Sequence, residues 1–337
     1  MARGYAVAVA GATGAVGGVM LSILEERNFP VRSLRLLASE RSAGARVAFK
    51  GDRVPVEVLT EGSFAGIDLA FFSCGGARSQ AFAPAAVRSG AAVVDNSSAF
   101  RMDPRVPLVV PEINAHALAD HQGIVAVPNC TTIVMLMALK PLHDLSRVRR
   151  VVATSFQAAS GAGARAMAEL EAQLRGWAEG REVPAEAFPH PLAFNVIPHI
   201  DSFLPNGYTK EEMKLVHETR KIMGDPEIRV TGTTVRVPVL RTHSVAVNAE
   251  TERKVTPAEA RAAFARFPGL QVVDDPEGGR YPMPRDATGK DDCFVGRIRQ
   301  DESHERALDF FVVGDQLRKG AALDAVQIAE ELVRRGL

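Results

Sequence analysis

Tyr5-Ala-Val-Ala-Val-Ala10-Gly11-Ala-Thr-Gly14-Ala-Val-Gly17 is the stretch that decides the fold. Tyr5–Ala10 is a short apolar run stopped by glycine, the pattern of a buried parallel strand. Beyond the glycines, Val16, Val19, Met20, Ile23 and Leu24 fall on one face of a helix. A glycine turn between a first strand and a first helix lets the chain reverse tightly and lets a phosphate approach the backbone. The helix start then offers that phosphate free N–H groups and positive dipole potential. GxxGxxG is a weak pattern by itself, and its setting gives it weight. Gly11, Thr13, Gly14, Ala15 and Val16 are therefore candidate cofactor contacts.

Outward from this stretch, apolar runs at 34–38, 68–73 and 92–95 read as further strands, with a helix at about 77–89. Alternating strands and helices imply an α/β, doubly wound parallel sheet of Rossmann type. The second strand runs into Ser39-Glu40-Arg41-Ser42. An acidic residue here suits a ribose 2′-hydroxyl, whereas cations and hydroxyls suit a 2′-phosphate. Ser39, Arg41 and Ser42 point to NADP, and Glu40 is the residue an unphosphorylated ribose would use. The turn Ser73-Cys74-Gly75-Gly76 follows another strand and lies at the strand end where ligands gather.

From Cys130 onward the character changes. A helix at about 130–144 is followed by strands at 151–158, 228–239, 244–249, 293–300 and 307–313, with helices at 162–180 and 256–267. That order predicts an α+β domain with a mostly antiparallel sheet. Residues 183–208 hold five prolines and little periodicity, which marks an excursion or a subunit contact more than a linker. Ala322, Val326, Ala329 and Val333 share one face of a last helix. The expected division is 1–129 for the nucleotide-binding domain and 130–314 for the second domain, with about 315–337 packing back on the first.

Forty basic and forty acidic residues cancel in a chain of 337, and no basic block marks a nucleic-acid or membrane-surface partner. No run of about 18 apolar residues and no secretory signal is visible. Cys74, Cys130 and Cys293 are widely spaced and odd in number, so neither a disulfide framework nor a zinc site is expected. A cytoplasmic protein acting on a small molecule fits these bounds.

Pro128-Asn129-Cys130-Thr131-Thr132 precedes an apolar helical run, with Asn129 as a suitable cap. A helix start lowers a thiol pKa, so Cys130 is the best placed of the three for reactivity, against the ordinary alternative of an inert core thiol. Thiolate addition turns an aldehyde into a hydride donor and leaves a thioester. His243, in Arg236-Val-Pro-Val-Leu-Arg-Thr-His243-Ser244, is a candidate proton partner among eight histidines.

Taken together and in order, GATGAVG, LASERSAG, VVDNSSAFR, VPNCTTI, SFQAASGAG, YTKEEMK, RVPVLRTHS and VVGDQLRKGAA resemble the aspartate-semialdehyde dehydrogenase family over essentially the whole chain. The resemblance implies a Rossmann-type NADP-binding domain and a catalytic and dimerisation domain like that of glyceraldehyde-3-phosphate dehydrogenase. It implies a homodimer. The implied reaction is reduction of L-4-aspartyl phosphate to L-aspartate 4-semialdehyde on the way to lysine, threonine and methionine. Carried over by motif, Cys130 is the nucleophile, His243 the acid/base, and Gln157 orients substrate and thioester. Arg236 takes the α-carboxylate, for which a planar bidentate donor is suited, and Glu211 the α-ammonium group. Arg101, Asn129 and Lys214 hold phosphate. Ser160, Gly161 and Gln316 join the cofactor contacts. By spacing alone, Glu211 and Lys214 are an exposed (i, i+3) helix pair. Two rivals are a reductase of N-acetylglutamyl phosphate, which has no use for Glu211, and an NADPH sensor with Cys130 as redox switch.

Overall fold

The computed structural model describes residues 4–337. The chain divides into two compact units, one running to Asn129 and including Ala321–Leu337, the other Cys130–Gly320. The first contains β1 (Tyr5–Ala10), α1 (Ala15–Glu26), β2 (Val31–Ala38), β3 (Arg46–Phe49), β4 (Asp52–Val58), β5 (Leu69–Phe72), α2 (Gly76–Arg88), β6 (Ala92–Asp95), α3 (Pro111–Asn114) and β7 (Ile124–Ala126). The second contains α4 (Cys130–Leu145), β8 (Val148–Gln157), α5 (Ala164–Ala178), α6 (Lys210–Met223), β9 (Arg229–Arg236), β10 (His243–Thr251), α7 (Pro257–Phe264), β11 (Leu270–Val272), α8 (Pro284–Ala287), β12 (Cys293–Gln300) and β13 (Ala307–Gly314). The last helix, α9 (Leu323–Arg335), belongs to the first unit.

In the first unit the sheet order is β3-β4-β2-β1-β5-β6-β7. All its pairings are parallel except β3 with β4. Every residue of β1 is buried, as a central strand covered on both faces must be. Ala6, Ala8, Leu37, Phe64, Phe72 and Val93 share one core cluster. On the return, α9 buries Leu323, Val326, Ile328 and Leu332. Each such side chain contributes roughly 1.5–3 kcal/mol. The Arg27–Glu330 pair joining α1 to α9 is partly exposed and is worth about 0–1 kcal/mol. Packing, not charge, therefore holds α9.

The β3–β4 hairpin was not legible as two strands. Its turn is Lys50-Gly51, with φ 49° and 87°, so it adopts the left-handed torsions of a tight hairpin without the usual Asn-Gly signal.

The second unit has the sheet order β11-β12-β13-β10-β8-β9. Its three central pairings are antiparallel and the two outer ones parallel. Helix α4 packs its buried Ile133–Leu139 run against this sheet. The sheet's other face, with Val152, Thr154, Phe156, Ala246 and Phe311, is only half-buried. Residues 183–208 form neither helix nor regular strand, joined to the body by the Ile197–Arg236 bridge among others. Residues 315–320 stay with the second unit, where Asp315 and Gln316 are buried and bonded. Among the described residues no helix is long and apolar enough to cross a membrane.

Candidate active site

In the first unit, Gly11 has φ 92°, and a Cβ there would lie 2.2 Å from the Ser73 carbonyl oxygen. A Cβ on Gly17 would lie 2.3 Å from the Gly11 oxygen. The fold itself requires both glycines. Gly14 differs: its φ is −81° and the nearest atom to an added Cβ is 3.3 Å away. Its missing Cβ leaves room for a ligand to approach, although its own N–H already donates to the Gly11 carbonyl at 3.0 Å. Helix α1 starts there with no side-chain cap and no acidic residue in its first turn, which leaves its positive end open to an anion. A cleft of about 210 Å³ at these strand ends is lined by Gly11, Thr13, Gly14, Ser39, Ser73 and Arg78. Thr13 donates to Ser42 at 3.3 Å, tying the glycine turn to the Glu40–Ser42 turn that carries Arg41. Ala15 and Val16 open α1. Arg78, one turn into α2, is a cation that sequence reading missed, since nothing in its surroundings sets it apart from a surface arginine.

Also in the first unit, Arg101 is buried, donating to the Val127 carbonyl at 2.8 Å and to that of Asn96 at 2.9 Å. Asn129, likewise buried, is the last residue before Cys130.

In the second unit, Cys130 is the first residue of α4. Gln157 ends β8, Arg236 ends β9 directly opposite it, and His243 begins β10. The polar side chains of this cluster converge on Ala158. Its N–H donates to His243 Nδ1 at 3.2 Å, and its carbonyl accepts from Arg236 Nη1 at 2.6 Å. Because Nδ1 accepts, the neutral imidazole carries its proton on Nε2. That Nε2 is buried with no partner among the described residues. Burial, then the Arg236 charge, hold the His243 pKa well below its usual value. Burial also pulls the Arg236 pKa down, while the charges of Cys130 and Glu211 push it back up. The Arg236 guanidinium lies over the Phe188 ring at 5.4 Å. Gly161 closes the cluster: a Cβ there would sit 2.8 Å from Arg236 Nη1 and 3.0 Å from His243 Cε1.

Glu211 is buried and accepts from Gln157 at 3.1 Å and from Lys214 at 2.9 Å. Lys214 also reaches Asp201 at 3.0 Å. Burial alone would lower the Lys214 pKa, but Glu211 and Asp201 outweigh it and raise the value. The pair that spacing reads as an exposed helix pair is thus part of a network running from buried Gln157 and Glu211 through half-buried Lys214 to exposed Asp201. The adjacent Glu212 is spent on structure: it closes a capping box with Thr209 and accepts the Thr234 N–H at 3.0 Å. Asp201 and Ala158 were invisible in the sequence, because one acts through a distant ion pair and the other only through its backbone.

Gln316 is engaged within the protein. Its oxygen accepts the Thr242 N–H at 2.7 Å and its nitrogen donates to Ser160. A Cβ on Gly320 would stand 3.0 Å from that of Cys130 and 3.2 Å from that of Gln316, so the turn after β13 presses closely on Cys130.

A glycine turn feeding an uncapped helix on a Rossmann-type sheet, with a cysteine at a helix start whose charge acts on a buried arginine and a buried histidine that shares Ala158 with that arginine, fits an NAD(P)-binding dehydrogenase. Residues 6–121 match the family model "Semialdehyde dehydrogenase, NAD binding domain" and residues 139–319 match "Semialdehyde dehydrogenase, dimerisation domain". The chain is 53% identical to aspartate-semialdehyde dehydrogenase of Aquifex aeolicus over 99% of each protein. It is 47% identical to that of Bacillus subtilis over 100% of each. The crystal structure of aspartate semialdehyde dehydrogenase II complexed with ASA from Vibrio cholerae superposes with a TM-score of 0.96 at 45% identity, covering 99% of both chains. The chain belongs to the aspartate-semialdehyde dehydrogenase family.

Proposed function

We propose that the protein reduces L-4-aspartyl phosphate to L-aspartate 4-semialdehyde, with NADPH as reductant and a thioester on Cys130. The observation that carries this reading is Arg236. A buried guanidinium that ends β9 opposite Gln157, which itself donates to Glu211 at 3.1 Å, and that feels the charges of Cys130 and Glu211, supports three-point recognition of an amino acid whose reacting carbonyl lies two carbons from its α-carbon. Arg236 takes the α-carboxylate, Glu211 the α-ammonium group, and Cys130 the C4 carbonyl. An N-acylated substrate would leave the buried Glu211 carboxylate without that partner.

Cys130 attacks the C4 carbonyl as thiolate, the C–O bond to phosphate breaks, and phosphate leaves; the family resemblance assigns its binding to Arg101, Asn129 and Lys214. Gln157 orients the thioester. When bound, NADPH supplies a hydride to the thioester carbon. His243 donates a hydrogen bond from Nε2 to the oxygen that becomes negative, the acid half of the role that the family resemblance implies. As the C=O bond re-forms, the C–S bond breaks and Cys130 leaves as thiolate, ready for the next turn. Removing one such donor typically lowers turnover by about 10²–10³.

The residues at the first cleft fit the cofactor: Gly11, Thr13 and Gly14 line it, and Ala15 and Val16 open the helix behind it; the family resemblance adds Ser160, Gly161 and Gln316 as cofactor contacts. Ser39, Arg41 and Ser42, with Arg78 on the cleft wall, favour NADP over NAD. A homodimer is supported by the dimerisation-domain match and by the half-buried sheet face. Exposed Trp177, Phe194, Val196 and Phe203 add apolar surface on or beside the proline-rich excursion. Three free cysteines fit a reducing cytoplasm.

The test is phosphate-dependent NADPH formation from aspartate semialdehyde, with wild type and Cys130→Ala side by side. Activity in the wild type and none in the variant is expected. A folded wild type without this activity overturns the substrate, and an active Cys130→Ala overturns the thioester.

A further inference from the structure

We propose that Thr242 is a positioning residue: held by Thr288 and Gln316, it fixes the entry of His243 into β10 and so keeps the imidazole in its Nε2–H form, aimed at the reacting oxygen. The inference rests on the role given to His243 above.

Thr242 is fully buried and has φ 85°, a torsion that a β-branched side chain rarely adopts. Such a conformation persists only where its surroundings over-determine it, and it gathers at functional sites. Here the surroundings do so. The Thr242 N–H donates to Gln316 Oε1 at 2.7 Å. Its hydroxyl pairs with that of Thr288 at 2.8 Å, and Thr288 spends its own proton on the Pro284 carbonyl at 2.8 Å. Thr242 is therefore the donor. Next to it, Arg241 reaches the wholly buried Asp315 at 2.8 Å, and Asp315 also accepts the Gly289 N–H at 2.7 Å and the Leu317 N–H at 2.9 Å. Residues 241–242, 288–289 and 315–317 are thus laced together at one point.

Residues 237–241 must stay against the end of β8, where Ala159 and Ser160 donate to the carbonyls of Val239 and Leu240 at 2.8 and 3.0 Å. The next residue but one must then put an imidazole nitrogen against the Ala158 N–H. The left-handed torsion at Thr242 makes both possible in a single residue. If it relaxed toward an extended torsion, Nδ1 would leave the Ala158 N–H and nothing would hold the proton on Nε2.

The experiment compares wild type with Thr242→Val, Thr242→Ser, Thr288→Val and His243→Asn. Each is assayed for kcat and KM and examined by ¹⁵N–¹H correlation of labelled histidine, with His243→Asn identifying the resonance. Thr242→Val is expected to lower kcat about tenfold while KM stays within about twofold. The His243 signal should become a mixture of tautomers. Thr242→Ser should restore both. Thr288 is exposed, so its valine variant should fold even where Thr242→Val does not, and it should reproduce the loss. Wild-type kcat and a pure Nε2–H signal in Thr288→Val and in any folded Thr242→Val, with His243→Asn impaired, would overturn the proposal and leave the role of His243 standing. Full activity in His243→Asn would instead overturn that role.

Discussion

Gly161→Ala tests the geometry of the site most directly. Gly161 lies outside the left-handed region, so alanine costs nothing in backbone torsion. The whole effect is therefore steric. The new Cβ would stand 2.8 Å from Arg236 Nη1, 3.0 Å from His243 Cε1 and 3.1 Å from His243 Nε2, where ordinary contact begins at 3.4 Å. Arg236 must retreat by roughly 0.6 Å, beyond the tolerance of about 0.5 Å that a catalytic constellation allows, and His243 by roughly 0.3–0.4 Å, close to it. Neither retreats freely, because both hang from Ala158. A misplacement of about 1 Å costs on the order of 10² in rate, so a fall in kcat/KM of about 10- to 100-fold is expected. Overpacking should destabilise by about 1–3 kcal/mol, set against about 0.4–1 kcal/mol gained from a stiffer unfolded chain. Steady-state kinetics with amino-acid substrate and cofactor varied in turn, beside thermal melts, would read both quantities. The loss should fall on kcat and on KM for the amino-acid substrate. A variant within about twofold of wild type, or one whose only change is a higher KM for NADP, would refute the steric argument and make Gly161 a cofactor contact alone.

The neighbouring glutamates should separate binding from folding. Glu211→Gln keeps the shape and loses the charge facing the substrate ammonium, raising KM by about 10- to 100-fold in proportion to a charged hydrogen bond of about 1.5–3 kcal/mol. Glu212→Gln can no longer accept both the Thr209 and Thr234 N–H groups and should lower stability by about 1–2 kcal/mol in denaturant melts. In the glycine turn, Gly14→Ala should fold and bind cofactor weakly, whereas Gly17→Ala, 2.3 Å from a backbone oxygen, should fail to fold; soluble yield and NADPH fluorescence distinguish them. For pH, burial and Arg236 depress the folded His243 pKa, so the unfolded chain takes up the proton first. The associated stability is complete above about pH 6.5 and is lost as pH falls, by up to about 1.4 kcal/mol per pH unit. His243→Asn should flatten the stability–pH curve below that point, and equal slopes in the two proteins would count against a buried neutral imidazole.

Features expressed along the chain were legible in the sequence. The all-buried β1 followed by a glycine turn and an amphipathic helix states its fold locally, and so does the apolar run of α4 behind Cys130. The β3–β4 hairpin was not, since it lies at a sheet edge with few buried side chains and a Lys50-Gly51 turn. Helix α6 was half legible: its capping residues are plain, yet spacing alone could not tell which of two buried glutamates serves the site. Only the tertiary partner of Glu212, the Thr234 N–H on β9, decides that and leaves Glu211 for Gln157.

The same limit applies to the residues that hold His243. Ala158 contributes a backbone N–H and a backbone carbonyl, and no side-chain chemistry marks it. Thr242 reads as an ordinary residue before a histidine, and its left-handed torsion exists only because three separate segments meet around it. Sequence motifs name the groups that touch substrate. The groups that set a tautomer or hold a guanidinium still act through peptide bonds and second partners, which any small residue can supply. His243 Nε2, without a partner among the described residues, is left so by hydrogen bonds that run back to Ala158 first and then to Thr242.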